Sequence, residues 1–308
     1  MQTLKVGTRG SKLALTQAEI IVSLLKSEFI NIEFEIQVIH TSGDININSR
    51  LDLLPNYGKG VFVREIDQAL LRNEVDLVVH SMKDVPTQYL DQLKIGAIPK
   101  RASPWDVLIS PYSSLDELPP NAHVGTSSIR RKSELLRLRS DLNIVPLRGN
   151  VDTRIGKLKQ NNLDGIILAQ AALQRIEVPE VNSYSITEFR EKEVLPCPGQ
   201  GAIAVITKTD NYSVLNILNQ INDLETRNMV TAERSFLQEF GGGCIIPLGA
   251  VAILKNDKKE IELFAAINTP NGDISLRTSM LGLVNNAKQL GINLAHKMKT
   301  QGAKKIIV

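Results

Sequence analysis

Aromatic residues are scarce in this chain, with seven Phe, five Tyr and one Trp among 308 residues. Aliphatic side chains must therefore fill most of any core. Cysteine is rarer still: Cys197 and Cys244 cannot build a disulfide framework, and two thiols fall short of a structural zinc set. Charge of one sign is also lacking, because 36 Lys and Arg stand against 33 Asp and Glu. With so little net charge and so few aromatics, nucleic acid is not an expected partner. No long apolar run is present, and alternation begins at once with Leu4-Lys5-Val6. Neither a signal peptide nor a membrane span can be read, so a cytoplasmic protein with no membrane partner is expected.

At 308 residues the chain exceeds what one hydrophobic core usually serves, and two or three domains are expected. Leu4 to Thr8 alternates as a strand, and Leu13, Ala14, Ala18, Ile21, Val22 and Leu25 then recur at helical spacing. Phe34-Glu35-Ile36-Gln37-Val38 predicts a second strand. Phe62, Ile66, Ala69 and Leu70 mark a helix leading into the apolar strand Asp76 to His80. That rhythm implies a mostly parallel sheet covered on both faces. The polar stretch from Thr41 to Gly60 is long for a connection and reads either as a mobile lid or as a disordered surface loop.

Pro99 to Pro104 reads as a linker, after which the pattern restarts at Asp106-Val107-Leu108-Ile109. It continues through Val124-Gly125, a helix from Ser128 to Arg139, a strand from Asn143 to Leu147, a helix from Val151 and the strand Gly165 to Leu168. Two such halves fit a hinged two-lobe binding protein. After Pro196-Cys197-Pro198-Gly199, the strand Ala202 to Ile206 can return to the first lobe. A change of pattern near Asn222 suggests a small α+β domain. The boundaries expected are 1–98 with 199–217 for the first domain, 103–195 for the second and 221–308 for the third.

Nine basic residues against three acidic ones lie between Arg130 and Lys159. Their placement says more than their number. Gly125-Thr126-Ser127-Ser128 precedes Arg130-Arg131 where a strand gives way to a helix, so hydroxyls, backbone N–H groups and guanidinium forks converge, as carboxylates or phosphates require. Arg148-Gly149-Asn150, with Arg154 following, repeats the arrangement, and Arg9-Gly10-Ser11 does so in the first lobe. Ligands in open α/β sheets bind beyond the carboxyl ends of strands. Arg137 and Arg139 read instead as a solvated helix face. Lys83-Asp84 emerges from an apolar strand at that same edge, where a carboxylate among cations can carry a proton or stabilise a cationic intermediate. A structural Lys-Asp turn is the plainer alternative. Gly241-Gly242-Gly243-Cys244 places a thiol on a permissive loop, where it is either an accessible nucleophile or a buried inert cysteine.

Gly7 to Ala14, Gly58 to Phe62, His80 to Pro86, Gly125 to Arg131, Leu147 to Asn150, Pro198 to Ala202 and Gly241 to Cys244 occur in one order along the chain. As an ordered set they resemble the signatures of the porphobilinogen deaminase family. The resemblance implies an α/β fold with two hinged lobes like those of periplasmic binding proteins, plus a small α+β C-terminal domain. It implies condensation of four porphobilinogen molecules, with loss of ammonia, into hydroxymethylbilane. A dipyrromethane cofactor joined to Cys244 through a thioether is implied, and no metal. Asp84 matches the catalytic aspartate. Lys83, Asp84, Ser128, Arg130 and Arg131 would hold the cofactor; Arg9, Ser11, Phe62, Arg148, Asn150, Arg154, Arg175 and Gln200 would serve the substrate. A monomer that passes its product to uroporphyrinogen-III synthase is expected. Tyr57, where a glycine often stands, and Cys197 are the departures. A non-catalytic two-lobe anion-binding protein is the rival reading, opposed by the joint presence of Asp84 and the glycine-flanked Cys244.

Overall fold

A computed structural model describes residues 2–39, 63–242 and 246–306. The polar stretch from Thr41 to Gly60, read above as a lid or surface loop, lies outside the described residues. In chain order the elements are β1 (Gln2–Thr8), α1 (Lys12–Glu28), β2 (Ile32–Val38), α2 (Arg64–Leu71), β3 (Leu77–Ser81) and β4 (Leu93–Ala97). Then come β5 (Asp106–Ser110), β6 (His123–Gly125), α3 (Ile129–Leu138), β7 (Asn143–Val145), α4 (Val151–Gln160), β8 (Gly165–Ala169), α5 (Gln170–Arg175) and β9 (Ser185–Glu188). The chain ends with β10 (Ile203–Lys208), α6 (Tyr212–Asn219), α7 (Leu224–Gln238), β11 (Leu248–Lys255), β12 (Glu260–Asn268), β13 (Ser275–Leu283), α8 (Ala287–Thr300) and α9 (Ala303–Ile306). Among the described residues no helix is long and apolar enough to cross a membrane.

By their contacts the residues divide into two compact units, 1–102 with 202–227 and 103–201 with 228–308. The first is built on a sheet in the order β2-β1-β3-β10-β4. β1 runs parallel to β2 and β3, and β10 enters antiparallel to both β3 and β4. Parallel pairing sets Leu4 against Phe34 and Val6 against Ile36. Ala18, Ile21, Val22 and Leu25 form the buried stripe of α1 and pack on Leu4, Val6, Phe34, Leu77 and Val79. Ser11 caps this helix, its side chain accepting from the Ala14 N–H. Four strands of one direction and one reversed strand qualify the expected mostly parallel sheet. β10, which enters the sheet from residues beyond 200, is the reversed one.

The second unit holds two sheets. One has the order β7-β6-β8-β5-β9, with β6 parallel to β7 and β8 and with β5 antiparallel to β8 and β9. The other is the antiparallel set β11-β12-β13, covered by α7 and α8 through Ala232, Phe236, Leu290, Leu294 and Met298. Trp105, Leu195, Val251 and Ala266 form a shared apolar cluster. The approach there is close: a Cβ on Gly249 would stand 2.6 Å from the Leu195 carbonyl oxygen. Arg277 of β13 reaches Glu134 of α3 at 2.7 Å, and Asn268 Nδ2 donates to Ser133 Oγ at 3.3 Å. The third sheet therefore braces the helix that carries the paired arginines.

Candidate active site

In the first unit, the parallel alignment of β1 and β3 opens their carboxyl ends on one edge of the sheet. Arg9 and Ser11 follow β1 there, and the short 3₁₀ turn Met82–Asp84 follows β3. Lys83 is half-buried and Asp84 exposed. The strand end beneath them is fixed from two sides. Gln17 of α1 donates to Ser81 Oγ at 3.0 Å, and the Met82 N–H donates to the Ala202 carbonyl at 3.0 Å. Deeper in the sheet, His80 Nε2 lies 3.1 Å from Asp67 Oδ1 of α2, both side chains being buried. This pair fastens α2 to the strand that presents Lys83 and Asp84, and it was not singled out from the sequence.

The second unit has the same edge built from β6, β7 and β8. Thr126 Oγ1 accepts from the Ser128 N–H at 3.2 Å, and Ser128 Oγ accepts from the Arg131 N–H at 3.4 Å. Ser127 Oγ donates to the Leu147 carbonyl at 3.0 Å, joining the turns after β6 and β7. Gly149 has φ +117°, and a Cβ there would stand 2.7 Å from Thr153, so glycine is required. Asn150 caps α4 by position, with no side-chain bond to the helix. Arg154 Nε donates to the Gly149 carbonyl at 2.7 Å, and Lys157 Nζ to the Arg148 carbonyl at 3.1 Å. The turn after β7 is thus held by two cations of the helix that follows it.

Arg130 and Arg131 are both buried. Because β5 runs against β8, with Asp106 opposite Ala169, its first residue arrives at the carboxyl edge of the parallel strands. Asp106 Oδ2 pairs with Arg130 Nη1 at 2.8 Å, and Oδ1 accepts from Arg131 Nη2 at 2.7 Å and Nε at 3.1 Å. Burial alone would raise the Asp106 pKa, but the two guanidinium groups and the Gln200 amide offset it and hold the carboxyl well below its usual range. Each fork also meets a carbonyl: Arg130 Nη1 donates to Leu195 at 2.7 Å and Arg131 Nη1 to Ile167 at 3.1 Å. Gln200 Nε2 donates to Asp106 Oδ1 at 2.9 Å and to the Pro104 carbonyl at 2.8 Å.

Arg154 and Arg175 behave differently. Burial lowers both guanidinium pKa values to about 10, with repulsion from Arg131 adding to the effect on Arg154. Arg175 donates through Nη2 to the Gly201 carbonyl at 2.6 Å. Neither has a carboxylate partner among the described residues. Arg137 and Arg139, expected to be solvated, are half-buried and tied instead to Glu134 at 3.1 Å and Asp141 at 2.8 Å. They belong to the scaffold. Phe62, Cys244 and the Gly58-Lys59-Gly60 motif lie outside the described residues. The missed members are Asp106, Glu134 and the His80–Asp67 pair. A carboxylate heading the apolar run Val107-Leu108-Ile109 was the available signal, since such a group is costly to bury unless cations meet it.

The model described as "Porphobilinogen deaminase, dipyromethane cofactor binding domain" matches residues 4–216, and "Porphobilinogen deaminase, C-terminal domain" matches residues 228–300. A Clostridium novyi protein named porphobilinogen deaminase is 41% identical over 292 residues, covering 94% of this chain and 96% of that one. A Brevibacillus brevis protein of the same name is 44% identical over 301 residues, covering 97% and 94%. Among solved structures, the Bordetella pertussis BvgS periplasmic VFT2 domain aligns at 14% identity and a TM-score of 0.40, over 71% of this chain and 86% of that one. From two family models that together span most of its length, and from near full-length relatives, the chain belongs to the porphobilinogen deaminase family.

Proposed function

We propose that this chain condenses four porphobilinogen molecules, with release of ammonia, into the linear tetrapyrrole hydroxymethylbilane on a dipyrromethane primer joined to Cys244. Family membership supports the reaction. The observation that carries the site is that Arg154 and Arg175, half-buried and each anchored to a glycine carbonyl, have no carboxylate beside them among the described residues. Cations so held raise the free energy of the empty protein and favour an anionic ligand. Porphobilinogen bears an acetate and a propionate, so a growing chain of such units is a polyanion. The acidic dipyrromethane fits the same donor set; when bound it supplies the terminal pyrrole to which the first substrate unit joins.

Ser128, Arg130, Arg131 and Lys83 are assigned to the primer's carboxylates. Arg9, Ser11, Phe62, Arg148, Asn150, Arg154, Arg175 and Gln200 are assigned to the substrate and elongating chain. Asp84, exposed at a strand end beside Lys83, offers its carboxylate to pyrrole N–H groups and to positive charge as the amino group departs. The domains are read as a lobe with Asp84, a lobe with the arginines, and a C-terminal domain with Cys244. We read the enzyme as a cytoplasmic monomer whose product passes to uroporphyrinogen-III synthase.

Intact mass tests the tether. The purified protein should exceed its sequence mass by a two-pyrrole adduct, and Cys244→Ser should lack it. A fully active wild type of unmodified mass would overturn the assignment.

A further inference from the structure

We propose that Asp106 is a positioning residue for the arginines of the second unit. It would fix the Arg130 and Arg131 forks and, through Gln200, the turn on which Arg175 rests. The inference rests on the reading of those arginines as carboxylate holders. Asp106 is fully buried and receives four contacts, two from Arg131 and one each from Arg130 and Gln200. The second bond of the Gln200 amide goes to Pro104, the linker residue two positions before Asp106. Gln200 sits in the 199–201 turn, whose Gly201 carbonyl receives Arg175 Nη2 and whose Gly199 N–H donates to the buried Glu233 at 2.6 Å. One carboxylate thus ties a helix start, a strand start and a glycine turn, which come from three separate parts of the sequence.

Two consequences follow from its charge. Asp106 neutralises one of two adjacent guanidinium groups, so both can stay buried without full mutual repulsion. It also weakens the pair's attraction for an anion. Selection for affinity alone would favour its loss; selection for a fixed donor geometry favours its retention, because misplacement by about 1 Å can cost about 100-fold in rate.

Asp106→Asn separates these effects. Cofactor loading is read by intact mass, and kcat per loaded molecule and KM for porphobilinogen are measured. The inference requires kcat per loaded molecule to fall at least about 10-fold while KM is unchanged or lower, since removing a negative charge cannot weaken attraction for an acidic substrate. Arg131→Gln added to Asp106→Asn should cost far less than Arg131→Gln alone. If Asp106→Asn does not fold, Gln200→Met keeps the ion pairs, loosens only the turn, and should lower kcat about 3-fold or more with the same KM pattern. Wild-type kcat per loaded molecule in the folded variants, or a raised KM with unchanged kcat, would overturn the inference. If Arg131→Gln alone leaves loading, KM and kcat untouched, the underlying assignment of Arg131 has failed instead.

Discussion

The two five-stranded sheets share one plan and differ in what it delivers. Each has four strands in one direction and a reversed strand in the fourth position, β10 in the first and β5 in the second. In the first sheet the reversed strand begins with apolar Ile203 opposite Ser81, and the carboxylate at the edge, Asp84, is left exposed. The second begins its reversed strand with Asp106, and cations collect around that carboxylate under cover. An exposed acid can exchange protons and meet successive ring nitrogens. Buried, geometrically fixed cations suit ligands that must be held in place. On the proposed reading, the same topology supplies a reactive edge in one unit and a binding edge in the other, and the identity of a few edge residues makes the difference.

The sharpest way to break the contrast is at Asp84. Asp84→Asn should keep its fold and its adduct, because the side chain is exposed, and should lose about 100- to 10,000-fold in turnover. Near-normal product formation would return Lys83-Asp84 to a structural turn. The next effect separates two kinds of arginine. Arg131→Met leaves Asp106 short of a partner in a buried site and should destabilise the protein by about 3–5 kcal/mol in denaturant unfolding. Arg154→Met removes a half-buried cation that has no carboxylate beside it among the described residues, and should cost little or no stability while stalling elongation. Equal stability losses in the two variants would show that Arg154 is held by the scaffold as Arg131 is.

Elements with strong local periodicity were legible from sequence, and those defined by tertiary context were not. Ile21, Val22 and Leu25 announce α1, and the run from Leu77 announces β3, because burial on one stripe or on both faces leaves a pattern. β9 is four residues long, Ser185–Glu188, and pairs along one side with β5, too little chain for any period to show. α6 carries a readable signal in Asn211 followed by Val214, Ile217 and Leu218, but its eight residues are barely two turns, too short for the period to stand out. The candidate site divides in the same way. Arg9, Arg130, Arg131, Arg148 and Arg154 stand at strand-to-helix junctions that sequence reveals, whereas Asp106 reaches Arg130 and Arg131 only because β5 runs backwards. Pairing direction is not written locally, so a count of charges between Arg130 and Lys159 overstated the free positive charge.

The smallest effect tests whether the two edges share their local construction. Ser11 and Ser128 cap α1 and α3 in the same way, each accepting a backbone N–H three residues on. Loss of either cap should cost about 1 kcal/mol. Ser11→Ala and Ser128→Ala should therefore show similar shifts in the denaturant midpoint. If Ser128→Ala costs distinctly more, its hydroxyl is supporting the Arg131 backbone, and through it the Asp106 pair, beyond ordinary capping. Matching losses would place the difference between the edges in Asp106 and the arginines alone.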